Sequence, residues 1–468
     1  MGLVCTAAAV ALLAGCGTIR SAREAQRRVE YAQSVRESKA VDLNGMNLSD
    51  LVAFALTNRP AMTSAALAVK DSRLAMKQLE SDAPIASTTP WNAFGVDVSG
   101  GYTESSPAKH LDNFEFKTEK SRATAGLSVD ILLYDFGRYD AEARAQAEKV
   151  LAAEASLVRE GFTVCNEVAS AYFALLRSDA LLEVAQTNVW MYEEHLGRAQ
   201  DRLRLGEAME LDVLKARLDL ATAKESLVSA SNDVLTAGAG LMAAVGVEAG
   251  SGDCAKVFSV RPGSLDLPVR DLPDTTMNSA AAYEFGSTNA PALVIARAKL
   301  RAASADVDYA VANLLPTLSA SASLNWTDPL WYWKWGLGAA QSLFTGFRKT
   351  TAVDRAVVAM ESAESAVAAE ELTLSHQIEV AVAERDSARE SLAAAIARVK
   401  EAKNNLDTVT ERYNVGDASR IDYTDAVSEH AEALGNRIRA FYRGQLAESA
   451  LLAILGLQPE YHEEIRGF

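Results

Sequence analysis

The strongest constraint on this chain is that it carries one pattern twice. Residues 412–426 read RYNVGDASRIDYTDA and residues 202–216 read RLRLGEAMELDVLKA, an offset of 210 positions. The offset holds well beyond that stretch. Gly246 maps to Gly456, Leu133 to Leu343, Tyr134 to Phe344, Arg138 to Arg348 and Gly126 to Gly336. Two copies of about 122 residues therefore align without a gap, and a repeat of this kind decides architecture before any other feature is read. In each copy a Gly (206 and 416) closes one long periodic segment and opens another. Gly accepts the left-handed conformation that ends a helix, so each copy is expected to be a helical hairpin turning at its Gly.

The segments flanking each turn contain no Pro and repeat every seven residues. Val168, Leu175, Leu182, Val189, Leu196 and Leu203 form the first run. Their partners are Ile378, Arg385, Leu392, Val399, Leu406 and Tyr413, in which Arg385 alone breaks the pattern. The return segment carries Val213, Leu220, Leu227, Val234 and Leu241. A sustained seven-residue repeat specifies helices supercoiled against neighbours. From 137 to 205 such a helix runs roughly 100 Å at 1.5 Å per residue, too long for a compact globule. Shorter helices are expected ahead of the strands in each copy. Both should break at a Pro, within Asn58-Arg59-Pro60-Ala61 and Asn289-Ala290-Pro291-Ala292, because Pro removes a backbone donor and disfavours helix just before it.

Between the short and long helices the periodicity changes to two. Phe94, Val96, Val98, Gly100 and Tyr102 alternate with small or polar residues, as do Ala125, Leu127, Val129, Ile131 and Leu133. Leu318, Ala320, Ala322, Leu324 and Trp326 do the same in the second copy, followed by Trp331, Trp333, Trp335, Leu337 and Ala339. Such alternation marks strands facing two environments. In a soluble sandwich the apolar face is core; in a membrane barrel it meets lipid and the polar face lines water. About ten residues is the length a tilted membrane strand needs, and the Trp cluster fits an interfacial girdle. Four strands do not close a barrel, which takes about eight, so a barrel requires an oligomer. The loop at 103–122 is long and charged and is expected to face outward; the loop at 327–330 is short.

Residues 1–15 form a continuous apolar run ending Leu13-Ala14-Gly15-Cys16. This resembles a bacterial lipoprotein signal, in which Cys16 becomes the lipidated first residue; the alternative is an ordinary signal peptide. Gly17 rather than Asp follows Cys16, which implies an outer-membrane address. No other segment has 18 uncharged apolar residues, so no transmembrane helix is expected. The organisation expected is a signal peptide (1–15) and a lipidated tether (16–46). A first repeat (47–247) has strands at about 94–102 and 123–133 and long helices at about 137–205 and 208–247. A Gly/Pro-rich linker (248–276) leads to a second repeat (277–457), with strands at about 317–326 and 331–343 and long helices at about 347–415 and 419–456. A tail (458–468) ends the chain. The net charge of −16 over 468 residues argues against a nucleic-acid partner, whose binding surface would be basic.

The lipobox, the duplicated strand–helix–tip–helix plan, the segment Tyr413-Asn414-Val415-Gly416 with Asp422 and Asp425, and Leu343-Phe344-x-Gly346 together resemble the TolC family of outer-membrane efflux ducts. The resemblance covers about residues 47–457. It implies a mainly α protein with a membrane β-barrel portion: a homotrimer with a twelve-stranded barrel in the outer membrane and a periplasmic α-helical barrel. It also implies a periplasmic adaptor (membrane fusion) protein and an inner-membrane transporter as partners. The protein would perform no chemistry and hold no cofactor beyond the lipid on Cys16. The family's entrance Arg, two residues after the Gly, corresponds to Ala418 here, and Arg420 lies two further on. The resemblance makes Asp422, Asp425, Tyr413 and Arg420 the expected periplasmic gate, and Leu205, Gly206, Val415 and Gly416 the adaptor-docking tips.

The five His show no metal spacing, and there is no phosphate loop, GxSxG or CxxC. The residues to weigh are Asp422 and Asp425, three apart on one helix face. Repeated about a threefold axis they would make two acidic rings that attract cations. The alternative is capping, because Ser419-x-x-Asp422 is a capping-box pattern. In the first copy the equivalents are Asp212 and Lys215, so the second tip alone carries the pair and is expected to lie inward. Cys165 and Cys254 are the pair left once Cys5 and Cys16 are accounted for. They could bridge in an oxidising periplasm, since the return helix ends level with Cys165; the alternative is two separate thiols. Two other functions fit parts of the pattern. A lipid-anchored periplasmic coiled-coil scaffold without a pore explains the heptads but not the strands. The adaptor itself would carry one hairpin, not two.

Overall fold

The computed structural model describes residues 48–81, 94–103, 122–206, 209–247, 277–327, 330–342 and 344–457. The signal peptide, the tether with Cys16, most of the first strand loop, the linker with Cys254 and the C-terminal tail lie outside the described residues. The first copy runs α1 (Leu48–Asn58), α2 (Pro60–Ser81), β1 (Phe94–Thr103), β2 (Arg122–Tyr134), α3 (Arg138–Arg204) and α4 (Glu210–Val245). The second runs α5 (Ser279–Asn289), α6 (Pro291–Ala312), β3 (Thr317–Thr327), β4 (Leu330–Ala340), α7 (Arg348–Asn414) and α8 (Arg420–Leu455).

The long helices obey the 210-residue offset at all four ends: α3 and α7 have 67 residues each, and α4 and α8 have 36. The short helices also match end for end, now with Pro60 aligned to Pro291. The change of offset is confined to the segments between the short helices and the hairpins. Both short-helix pairs break at their Pro. The break in the first copy seats against the end of α4, where Asn58 donates from Nδ2 to the Gly246 carbonyl at 3.3 Å. In the second copy, a side chain at Gly456 would meet the Asn289 carbonyl oxygen at 3.1 Å.

Helix α3 is the backbone of the molecule, in contact with α1, α2, α4, α6 and α8. Beside the break, Leu51, Leu56 and Met62 pack on Phe162, Val164, Cys165 and Val168, closed by Leu241 and Val245. The second copy repeats this with Leu293, Leu374, Ile378, Leu451 and Leu455. A third cluster joins the copies: Phe173 and Leu176 of α3 lie against Ile438, Phe441 and Tyr442 of α8. Burial of each such side chain stabilises by about 1.5–3 kcal/mol, so the two hairpins are fastened to one another, not merely adjacent.

Arg385, the break in the heptad run, is buried. Its guanidinium donates from Nη1 to the Met277 carbonyl at 3.1 Å and pairs with Asp386 at 2.8 Å. A buried charge is tolerated when its donors are satisfied, and here they tie the chain entering α5 to the middle of α7.

The four strands form one antiparallel sheet in the order β1-β2-β3-β4. Trp326 pairs with Trp331, Leu324 with Trp333, Ala322 with Trp335 and Ala320 with Leu337, so the apolar positions of β3 and β4 share one face. Ser323 pairs with Lys334 and Ser321 with Gly336 on the other face. Leu127 and Val129 of β2 continue the apolar face, and Ser128 and Asp130 the polar one. Strand β4 ends at Ala340, short of the 343 expected from alternation, because its partner β3 begins at Thr317 opposite Ala340. Among the described residues the apolar face has no layer over it: Trp331, Trp333, Trp335 and Leu337 are 61, 70, 71 and 73% exposed. A sandwich would bury these residues. A contiguous apolar patch of this kind marks a surface meant for lipid or another chain. No helix among the described residues is long and apolar enough to cross a membrane.

Candidate functional site: the hairpin tips and the seam between them

The far end of each hairpin is built from local chemistry. At the second tip the Gly416 amide donates to the Tyr413 carbonyl at 3.2 Å and the Asp417 amide to the Arg412 carbonyl at 2.8 Å. These two bonds close the helix only if the Gly is left-handed, and its φ is 84°, as Gly206 has 79° at the first tip. Leu205 and Val415, beside these glycines, are 73 and 80% exposed. The tips thus present apolar side chains to whatever meets them.

Helix α8 starts with the expected capping box. The Ser419 amide and hydroxyl both donate to Asp422 Oδ2, at 2.9 and 2.7 Å, and the Asp422 amide donates back to Ser419 Oγ at 3.2 Å. The hydrogen bonds from Ser419 hold the Asp422 carboxyl below its ordinary value, so it stays ionised. Asp212 at the first tip makes the corresponding contact to the Met209 amide, at 3.2 Å. Capping is therefore common to both copies, whereas a second acid at the position of Asp425 is peculiar to the second. Asp422, Asp425 and Glu429 lie along one exposed face of α8 and border a cavity with Asn405, Val409 and Arg412.

Tyr413 and Arg420 lie elsewhere. The helical period puts Arg420, Tyr423 and Val427 on the opposite face from Asp422 and Asp425, and that face is turned to the first hairpin. Arg420 pairs with Asp219 of α4, Nη1 to Oδ2, at 2.9 Å. Arg202 of α3 donates from Nη2 to the Tyr413 carbonyl at 2.9 Å, with its guanidinium carbon 4.6 Å from the Tyr413 ring centre. Arg198 reaches Asn414 Oδ1 at 3.3 Å and lies over the Tyr423 ring. Two cations of the first hairpin thus sit at the C-terminus of α7, where free carbonyls and the helix dipole favour positive charge.

Tyr413 is buried, its ring stacked on Tyr423 with centroids 5.1 Å apart. His195 of α3 fills the remaining side, 5.2 Å from Tyr423 and 5.7 Å from Tyr413. It has no exposed surface, and neither ring nitrogen has a hydrogen-bond partner. Burial lowers its pKa, and Arg420, Arg198 and Arg202 lower it further against the opposing charge of Asp219.

The four expected gate residues therefore divide into an open acidic face and a closed seam. Sequence reading missed His195, Arg198, Arg202, Asp219 and Tyr423. One signal was available: Tyr413 and Tyr423 flank Gly416 closely enough to meet across the turn. The arrangement is a mechanical fastening rather than a reaction centre, and it holds no group of acids, His or Cys placed for a metal among the described residues.

Comparison with known proteins agrees with this geometry. A family model described as outer membrane efflux protein matches residues 51–247 and 287–457, most of both repeats. Outer membrane efflux protein BepC of Brucella suis biovar 1 (strain 1330) is 23% identical over 373 residues, covering 78% of each chain. Among solved structures, a membrane protein from Pseudomonas aeruginosa superposes with a TM-score of 0.75 at 20% identity, covering 89% of this chain and 92% of that one. The outer membrane protein VceC of Vibrio cholerae gives 0.74 at 19% identity, covering 87% and 96%. The fold is that of these solved membrane proteins. Its duplicated hairpins, its bare apolar sheet face and the match over residues 51–247 and 287–457 make this chain a member of the outer membrane efflux protein family.

Proposed function

We propose that the chain is one third of a trimeric exit duct. Three four-stranded sheets close a twelve-stranded barrel in the outer membrane, and six hairpins form a tunnel into the periplasm. The duct is passive: an inner-membrane transporter loads it through a periplasmic adaptor that meets the tips, and Cys16 adds a lipid anchor. The observation that carries this reading is the bare apolar sheet face joined to two hairpins of about 100 Å. A coiled-coil scaffold without a pore has no use for such a sheet. The seam closes the periplasmic entrance at rest, and the exposed acids of α8 point into it as rings that concentrate cations.

The test is conductance of the purified trimer in planar bilayers. A heat-sensitive trimer from outer-membrane fractions should conduct, and divalent or trivalent cations on the periplasmic side should block it. The N-cap itself is Ser419, and an Asn side-chain oxygen at 422 can still accept from the Ser419 amide, so Asp422→Asn and Asp425→Asn remove charge while leaving α8 capped. The double variant is expected to lose blocking affinity by about tenfold or more, as two rings of three charges disappear. Unchanged block would reduce Asp422 to its capping role. A correctly assembled trimer with no conductance would restore the scaffold reading.

A further inference from the structure

The seam contains one titratable group that neither the fold nor the gate requires to be titratable. His195 occupies a slot that Phe or Leu would fill without leaving two ring nitrogens unmet, since a buried polar atom without a partner is costly. It sits where α3, α7 and α8 converge, and every element around it supplies charge or a hydroxyl. Helix α3 contributes Glu194, Arg198 and Arg202, α4 contributes Asp219, α7 Tyr413, and α8 Arg420 and Tyr423. The carboxylates are engaged already, Glu194 by Arg198 and Asp219 by Arg420. A proton arriving on His195 would therefore put a fourth cation among three, in a space with no exposed surface.

We propose that His195 is a proton-sensitive wedge in the seam: neutral, it lets the second tip lie against the first hairpin; protonated, it drives them apart and opens the entrance. This rests on the reading of the tips as a gated entrance. The two-state element is the contact of Tyr413, Asn414 and Arg420 with α3 and α4. When the seam opens, the imidazole is hydrated and titrates near its ordinary 6.5; when it is closed, burial and the arginines hold the value lower. The closed form binds fewer protons, so it loses stability as pH falls below about 6.5, until the lowered buried value is passed. Across that window the closed-to-open ratio falls up to about tenfold per pH unit in each protomer. Above it, His195 is neutral in both forms and exerts no pull.

The experiment compares the full chain with His195→Phe, which keeps an aromatic ring against the two tyrosines, and with His195→Gln as a second non-ionising variant. Two readouts are taken at pH 7.5 and 5.5: bilayer conductance, and hydrogen-exchange protection of the amides from 409 to 426 after correction for intrinsic rates. The parent is expected to lose protection at the second tip and gain open probability about tenfold or more at pH 5.5, while both variants stay flat. The same acid response in the variants, or no response in the parent, overturns the wedge. Protection that responds as expected in a trimer that never conducts would leave the wedge standing and overturn the duct.

Discussion

Replacing Arg202 and Arg420 together by Ala is expected to leave the resting duct open, with open probability about thirtyfold above the parent at neutral pH. Each guanidinium holds the second tip to the first hairpin, Arg202 at the Tyr413 carbonyl and Arg420 at Asp219. Hydrogen bonds to charged groups are worth about 1.5–3 kcal/mol each. Both arginines are partly exposed, and screening reduces that figure. Taken at the low end, the two together still amount to about 2 kcal/mol per protomer, close to thirtyfold in the closed-to-open ratio. Arg198 touches Asn414 at a longer 3.3 Å, so Arg198→Ala is expected to do less. The measurement is single-channel recording beside a check of trimer assembly. A double variant that assembles and remains closed would show that the seam is not what shuts the entrance.

The second large effect concerns the tips. Leu205→Asp combined with Val415→Asp is expected to abolish export by the assembled machine while leaving trimer yield and bilayer conductance unchanged. Both side chains are mostly exposed, so an acid at either position removes no packing from the chain's own core. What it removes is apolar surface at the point farthest from the sheet, together with the association energy of about 25 cal/mol per Å² buried there. Gly206→Ala and Gly416→Ala form the companion test. A Cβ at either site meets no atom within 4 Å, yet positive φ costs a non-Gly residue about 1–2 kcal/mol, so these changes distort the turn without changing its polarity. The readout is export of the pump's substrate in cells lacking their own duct, with adaptor capture measured alongside. Normal export by the Asp pair would move the docking surface away from the tips.

Much of the architecture was legible because it is local and repeated. The period of seven, the period of two and the gapless offset fixed helices, strands and turns to within a few residues, and the Pro pair located both breaks. The seam was not legible, for a physical reason. Its contacts join residues about 200 positions apart, such as Arg202 and Tyr413 or Asp219 and Arg420, and a heptad pattern states that a helix face is buried without naming its partner. The grouping of Tyr413 and Arg420 with the acids came from the family resemblance. Counting 3.6 residues per turn from Arg420 separates them, because 420, 423 and 427 share one face and 422, 425 and 429 the other. His195 belonged to no motif, so the sequence did not separate a packed side chain from a solvated one; its burial and its neighbours come only from the fold. Arg385 looked like a fault in the heptads until Met277 supplied its acceptor.

The equal lengths of α3 and α7, and of α4 and α8, leave these helices no freedom to vary in size. One residue inserted in α3 ahead of Arg198 would lower the first tip by about 1.5 Å and swing every later side chain about 100° around the axis. Arg198 and Arg202 would then face away from the second tip, and the two turns would no longer lie level for a common partner. A compensating insertion in α4 would restore where the return helix ends but not the direction of those side chains. Between the two copies the offset shifts only between the short helices and the hairpins, and changes in length are expected to be accommodated there. On the duct proposed above, the hairpins act as a fixed gauge, setting how deep into the periplasm any partner must reach.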